Sequence, residues 1–133
     1  MKKLLFPVMI VLCAIGLHAQ KQNGPVLSWE KSNHDFGDVI QGDKVEFTYK
    51  FTNTGNEPLI ITNVQPSCGC TLPKSWPRNE IMPGQTGELV IAFNSSGKFG
   101  KLSRVTAVVS NAVNEEAKEI KFSANVIEKK QPN

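Results

Sequence analysis

Cys68 and Cys70 stand one residue apart around Gly69, in a segment bounded by Pro66 and Pro73. The third cysteine, Cys13, lies in an N-terminal stretch expected to be removed, so this pair is the one unusual chemistry left to the mature chain. Two thiols this close tend to pair in an oxidising compartment. Residues two apart can meet the Cα separation of a disulfide, and glycine supplies the backbone freedom for so small a ring. Such a ring closes almost no loop, so the chain-entropy gain of long-range bridges is small. Strained, exposed disulfides are also the easily reduced ones. Two other readings stay open. Two thiolates suit Cu(I), with Met82 as a conceivable third soft ligand, although a core methionine is the commoner use. Zinc fits less well, because a closed site wants four ligands and only His34 and scattered acids accompany the cysteines. Redox catalysis usually employs Cys-x-x-Cys at a helix N-terminus, and neither that spacing nor a helix is present.

Other polar residues read as structural. His34 could be placed beside Asp35 or Asp38, but no serine sits in a nucleophile motif. Asp35, Asp38 and Asp43 fall near a turn without the spacing of a calcium loop. Asn94-Ser95-Ser96 matches a glycosylation sequon, but the match is weak and a turn is the expected use. Of Trp29 and Trp76, the second is the better contact residue, since it sits between Ser75 and Pro77 beside the cysteine loop. The expected contact surface is therefore the loop 66–78, with Pro66, Cys68, Gly69, Cys70 and Trp76, or else an open sheet edge that accepts an added strand. No catalytic residue and no cofactor are expected.

The elements that carry this loop are strands. Val45, Phe47, Tyr49 and Phe51 alternate with Lys44, Glu46, Thr48 and Lys50, the period of a half-buried strand. Thr54-Gly55-Asn56 ends it as a turn. Further strands are expected over 58–64, around Leu89, Ile91 and Phe93 after the Pro83-Gly84 turn, around Val105–Val109, and from Ile120 to Val126. Two weaker ones lie around Val26–Trp29 and Phe36–Ile40. The segment 113–118 could hold one helical turn, but a connecting loop is the expectation. About seven short strands with Gly, Pro and Asn punctuation give an all-β chain, an antiparallel immunoglobulin-like β-sandwich, with a closed barrel as the alternative.

The chain has 133 residues, 15 Lys+Arg against 12 Asp+Glu, a formal charge of +3 and 40% hydrophobic residues. That composition is globular and excludes a disordered tail, a collagen-like fibre and a polytopic membrane protein. Lys2 and Lys3 precede an uncharged run from Leu4 to Leu17, with small residues at Ala14, Gly16 and Ala19, which is the layout of a secretory signal peptide. Cleavage is expected after Ala19, or alternatively after Gly16. The run is too short to span a membrane and contains Pro7. Lipid attachment at Cys13 is disfavoured by Leu12 before it. The organisation is then a signal peptide at 1–19, a lead-in at 20–28, the sandwich at 29–127 and a flexible tail at 128–133. Removal of residues 1–19 leaves 13 basic against 12 acidic residues. The sequence pI of 8.8 is mostly the leader's contribution. No Lys/Arg stripe interleaved with aromatics remains, so nucleic acid is not an expected partner.

Four stretches follow one another in a recognisable order: His34-Asp35-Phe36-Gly37, Phe51-Thr52-Asn53-Thr54-Gly55-Asn56-Glu57-Pro58-Leu59, Pro66-Ser67-Cys68-Gly69-Cys70-Thr71 and Pro83-Gly84-Gln85-Thr86-Gly87. From about Trp29 to Val126 the chain resembles the exported bacterial family catalogued as domain of unknown function 1573, itself similar to major-sperm-protein and Hydin-type immunoglobulin-like domains. His34 stands where an aromatic residue is expected. The resemblance implies a sandwich fold and export, and brings no activity with it. The resulting expectation is an exported, non-catalytic, periplasmic or extracellular module that binds a protein or envelope component. The alternative is a copper-binding or thiol-redox protein using Cys68 and Cys70.

Overall fold

The computed structural model describes residues 23–129. The expected signal peptide with Cys13, and residues 130–133 of the expected tail, lie outside the described residues. Eight strands form: β1 (Leu27–Trp29), β2 (Asn33–Ile40), β3 (Lys44–Asn53), β4 (Ile61–Pro66), β5 (Thr71–Ser75), β6 (Thr86–Asn94), β7 (Gly100–Ser110) and β8 (Glu119–Ile127). They make two four-stranded sheets, in the orders β1-β3-β6-β5 and β2-β8-β7-β4. The fold is an all-β, immunoglobulin-like sandwich. No helix among the described residues is long and apolar enough to cross a membrane.

The alternation in β3 explains the first sheet. Phe47, Tyr49 and Phe51 turn inward opposite Ile91, Leu89 and Gly87 of β6. Phe122, Ala124 and Val126 of β8 are buried in the same core. Phe93 and Phe122 meet at 5.2 Å between ring centroids, and Phe36 reaches Phe122 at 5.4 Å. Each fully buried aromatic or aliphatic side chain here contributes roughly 1.5–3 kcal/mol of transfer free energy. Gly87 has a packing reason: a Cβ there would run into the Phe51 ring that lies across it.

Four details differ from the sequence expectation. The eighth strand, β5, lies inside the segment read as the loop 66–78. Its sequence Thr-Leu-Pro-Lys-Ser carries a central proline, which is tolerated because β5 is an edge strand with a register shift between Pro73 and Ser75. The sandwich is not wholly antiparallel, because β2 runs parallel to β8. The first strand, Leu27–Trp29, forms where a weaker one was expected, but its Leu27, fully buried in the core, falls within the segment assigned to the lead-in. The connection expected as a loop at 113–118 contains a 3-10 turn, Glu115–Lys118, whose Ala117 is buried.

Each sheet edge carries a device that discourages further pairing. The short β1 is closed by Asn114, whose Nδ2 donates to Leu27 O at 2.8 Å and whose Oδ1 accepts from Leu27 N–H at 3.0 Å, as a neighbouring strand would. β2 is broken between Asp35 and Asp38, where Gly37 takes φ 69° and donates its N–H to Asp35 Oδ1. β4 shifts register between Ile61 and Asn63 and ends on Pro66. β5 carries Pro73.

One end of the sandwich is tied through Asn53, which is fully buried. Its Oδ1 accepts from Val26 N–H at 3.3 Å and Gly55 N–H at 3.0 Å; its Nδ2 donates to Glu57 O at 2.8 Å and Ile81 O at 2.9 Å. Gly55 is required there, because a Cβ would strike the Gly24 carbonyl and the Val26 nitrogen. The cysteine pair lies at the other end of the same sheet. Lys44 opposes Asn94 at that end and Thr52 opposes Thr86 near Asn53, so the two ends are roughly 25–30 Å apart at about 3.3 Å per residue.

Candidate functional site

The chain leaves one sheet at Pro66 and enters the other at Thr71, so Ser67–Cys70 crosses the end of the sandwich. Both ends of the crossing are fastened. Ser67 N–H donates to Val105 O at 3.1 Å on β7, and Asn94 N–H on β6 donates to Cys70 O at 2.8 Å. Thr71 N–H closes the turn onto Cys68 O at 3.3 Å. Within it Cys68 and Cys70 form a disulfide, with their Cα atoms 5.3 Å apart. Both cysteines are half-buried, and Gly69 between them is exposed. The Thr71 hydroxyl lies 3.7 Å from Cys68 Sγ and 3.9 Å from Cys70 Sγ. Thr71 is itself buried, opposite Phe93.

The other residues singled out in the sequence do not join this pair. His34 lies flat on Phe47, ring centroids 3.7 Å apart, with Phe36 edge-on at 4.7 Å. It does the packing work of the aromatic residue expected there. Burial, then Lys31, hold its pKa below 6.5, with Asp35 pulling the other way. Met82, expected in the core, is 46% exposed. It sits in the turn before Thr86, where its carbonyl accepts from Gln85 N–H, far along β6 from Asn94 and the cysteines. A turn residue that must expose its backbone has no core to enter. Among the described residues no three His, Cys, Asp or Glu side chains come together as a metal site.

Asp35 and Asp38 bind their own surroundings, Asp35 through Gly37 N–H and Asp38 through Asn125 Nδ2 at 3.0 Å. Asn94 Oδ1 accepts from Ser96 N–H, and the fully buried Ser95 donates to Asp43 O and Ile40 O, so the sequon folds as a turn. Trp29 packs edge-on to Phe51 and donates to Glu116 O. Trp76 is half-buried against the core, with the Arg78 guanidinium 3.8 Å above its ring and its indole N–H buried without a partner. It offers a guanidinium-covered ring rather than a bare aromatic face.

Leu72 was missed by sequence reasoning. It follows the inward Thr71, so the strand period turns it out, and it is 61% exposed. On the same outer face, Lys74 pairs with Glu46 across Ala92. The signal was the Thr-Leu-Pro alternation, legible only once 71–75 is known to be a strand.

Residues 27–126 match the family described as Protein of unknown function (DUF1573). No curated protein matches the sequence. Among solved structures, the chain is similar to a protein of unknown function from Porphyromonas gingivalis W83, with TM-score 0.66 and 20% identity over 77% of this chain and 47% of that one. It is also similar to the secreted serine protease VesC of Vibrio cholerae, with TM-score 0.60 and 15% identity over 76% of this chain and 23% of that one. The ASH / PapD-like domain 7 of human CEP192 gives TM-score 0.59 and 11% identity, over 88% of this chain and 98% of the domain. The chain thus spans less than half the length of the first two. At these identities the likeness concerns the fold alone.

Proposed function

The chain belongs to the DUF1573 family of proteins of unknown function, and from the geometry of its cysteine end we propose an exported, non-catalytic module that binds a protein or envelope component there. Export rests on the Lys2-Lys3 and Leu4–Leu17 layout of the N-terminus. The observation that carries the binding surface is Leu72, an exposed leucine beside a loop fastened to both sheets and stiffened by a one-residue ring. A rigid, pre-ordered surface loses little conformational entropy when a partner docks. The edge-pairing alternative is the weaker one, since all four edges carry a bulge, a proline or a side-chain substitute for a strand.

The test is Leu72→Asp in the full chain, with binding followed by cross-linking mass spectrometry on envelope preparations and by titration against the cross-linked partner once purified. The expected outcome is an affinity loss of about 30-fold, the scale of an interface anchor of roughly 2 kcal/mol, with an unchanged melting temperature. Partner affinity equal to that of the parent chain would overturn this surface.

A further inference from the structure

The ring is open on its Gly69 side, where a Cβ would meet nothing within 4 Å beyond the neighbouring cysteines, while Cys68 and Cys70 are half-buried and Cys70 also packs against the core. The backbone on both sides is held without the sulfur–sulfur bond, through Ser67 to Val105, Asn94 to Cys70 and Thr71 to Cys68. Opening the ring therefore leaves the path of the chain in place and both sulfurs near enough to close again. A ring around one residue adds little of the stabilisation that a long bridged loop supplies. What it does have is a hydroxyl at hand. Thr71 Oγ1 reaches both sulfurs from a side chain clamped in the core. A donor at that place favours the thiolate, and a better-stabilised thiolate leaves faster.

We propose that Cys68–Cys70 is a thiol–disulfide exchange site that accepts two electrons from a solvent-exposed protein dithiol, with Thr71 as its positioning residue. A thiolate of the dithiol attacks one ring sulfur. The Cys68–Cys70 bond breaks, and its electron pair leaves on the other ring sulfur, which takes up a proton. The second thiol of the dithiol loses its proton and attacks its own sulfur in the mixed disulfide. The cysteine of this chain is expelled as a thiolate and takes that proton. The dithiol ends as a disulfide and Cys68 and Cys70 as thiols, with two electrons and two protons transferred and no other reactant. The exchange is stoichiometric, one disulfide per chain. It goes beyond the binding function above and stands without it, because a short dithiol suffices as reactant.

The test mixes the full chain in its oxidised form with a synthetic peptide bearing two reduced cysteines among serines and glycines. Samples are quenched with acid, alkylated and weighed by mass spectrometry over time. One peptide disulfide should appear per chain reduced, with the circular dichroism spectrum unchanged. Thr71→Val should slow the exchange about fivefold, the worth of one hydrogen bond near 1 kcal/mol, and Thr71→Ser should restore it. Leu72→Asp should exchange at the parent rate, so the binding surface and the exchange site fail separately. No peptide oxidation over hours overturns the site, and so does reduction accompanied by loss of the native spectrum. A parent rate in Thr71→Val removes Thr71 from it.

Discussion

At one end of the sandwich the Asn53 amide makes four hydrogen bonds, two through its oxygen and two through its nitrogen. At the other, the sulfurs of Cys68 and Cys70 meet the Thr71 hydroxyl at 3.7 and 3.9 Å, and Gly69 faces open space. Both ends are short polar turns between strands, and both contain a glycine flanked by residues able to make hydrogen bonds. They differ in what the glycine is for. Gly55 is there because two backbones pass so close that no Cβ fits; a Cβ at Gly69 would meet nothing beyond the two cysteines beside it. The first end spends its polar groups on holding strands together. The second is held by the backbone bonds of its flanks, which leaves its sulfurs free for other work.

The largest expected effect breaks the first end. Asn53→Ala strands the N–H groups of Val26 and Gly55 and the carbonyl of Glu57, while Ile81 O keeps its bond from Leu59 N–H. It should lower the unfolding free energy by about 3–5 kcal/mol, since buried groups left unpaired carry their desolvation cost. Urea denaturation followed by tryptophan fluorescence measures it. A loss under about 1 kcal/mol would mean that the corner is not the fastening described here.

A smaller effect is expected at the second end. Cys68→Ser with Cys70→Ser removes a bridge around a single residue, and the chain-entropy relation puts the cost below about 2 kcal/mol. Equal losses for the two variants in parallel urea curves would erase the contrast between the ends. The contrast sharpens if the double variant also keeps the parent's cooperativity.

The smallest effect lies between the ends, at His34. Its folded-state pKa is lowered below 6.5, chiefly by burial and then by Lys31. As pH falls, the unfolded chain therefore binds the proton first. Stability contributed by this group is whole above about pH 6.5 and declines as the pH drops through 6.5 toward the lowered folded value. Melting temperatures at pH 7.5 and 5.5 should show this slope, and His34→Phe, which keeps a ring on Phe47, should reduce it. A slope untouched by that substitution would assign it to other groups.

The long strands were legible because their signal is local. Val45 to Phe51 and Ile120 to Val126 alternate strictly, and one face of a strand must be apolar when one sheet packs on another. β5 was not legible, because Pro73 denies a strand pattern at any position except an edge, and edges are known only from the assembled sheet. Asn53 could be read as part of a turn, but not as a buried amide with four partners, two of which, Val26 and Ile81, lie on other segments of the chain. Met82 shows the same gap. An apolar side chain is assigned to the core by its type, whereas its exposure depends on which face or turn it occupies.

By itself the sequence determined the all-β class, the inward faces of the long strands and the two-residue cysteine spacing that permits a ring. Each of these follows from the geometry of neighbouring residues along one chain. The tertiary structure decided that β2 lies parallel to β8, that the cysteine loop crosses from one sheet to the other, and that Thr71 rather than His34 or Met82 stands at the sulfurs. Those contacts join residues brought together only when the two sheets close on a common core, so no local pattern encodes them.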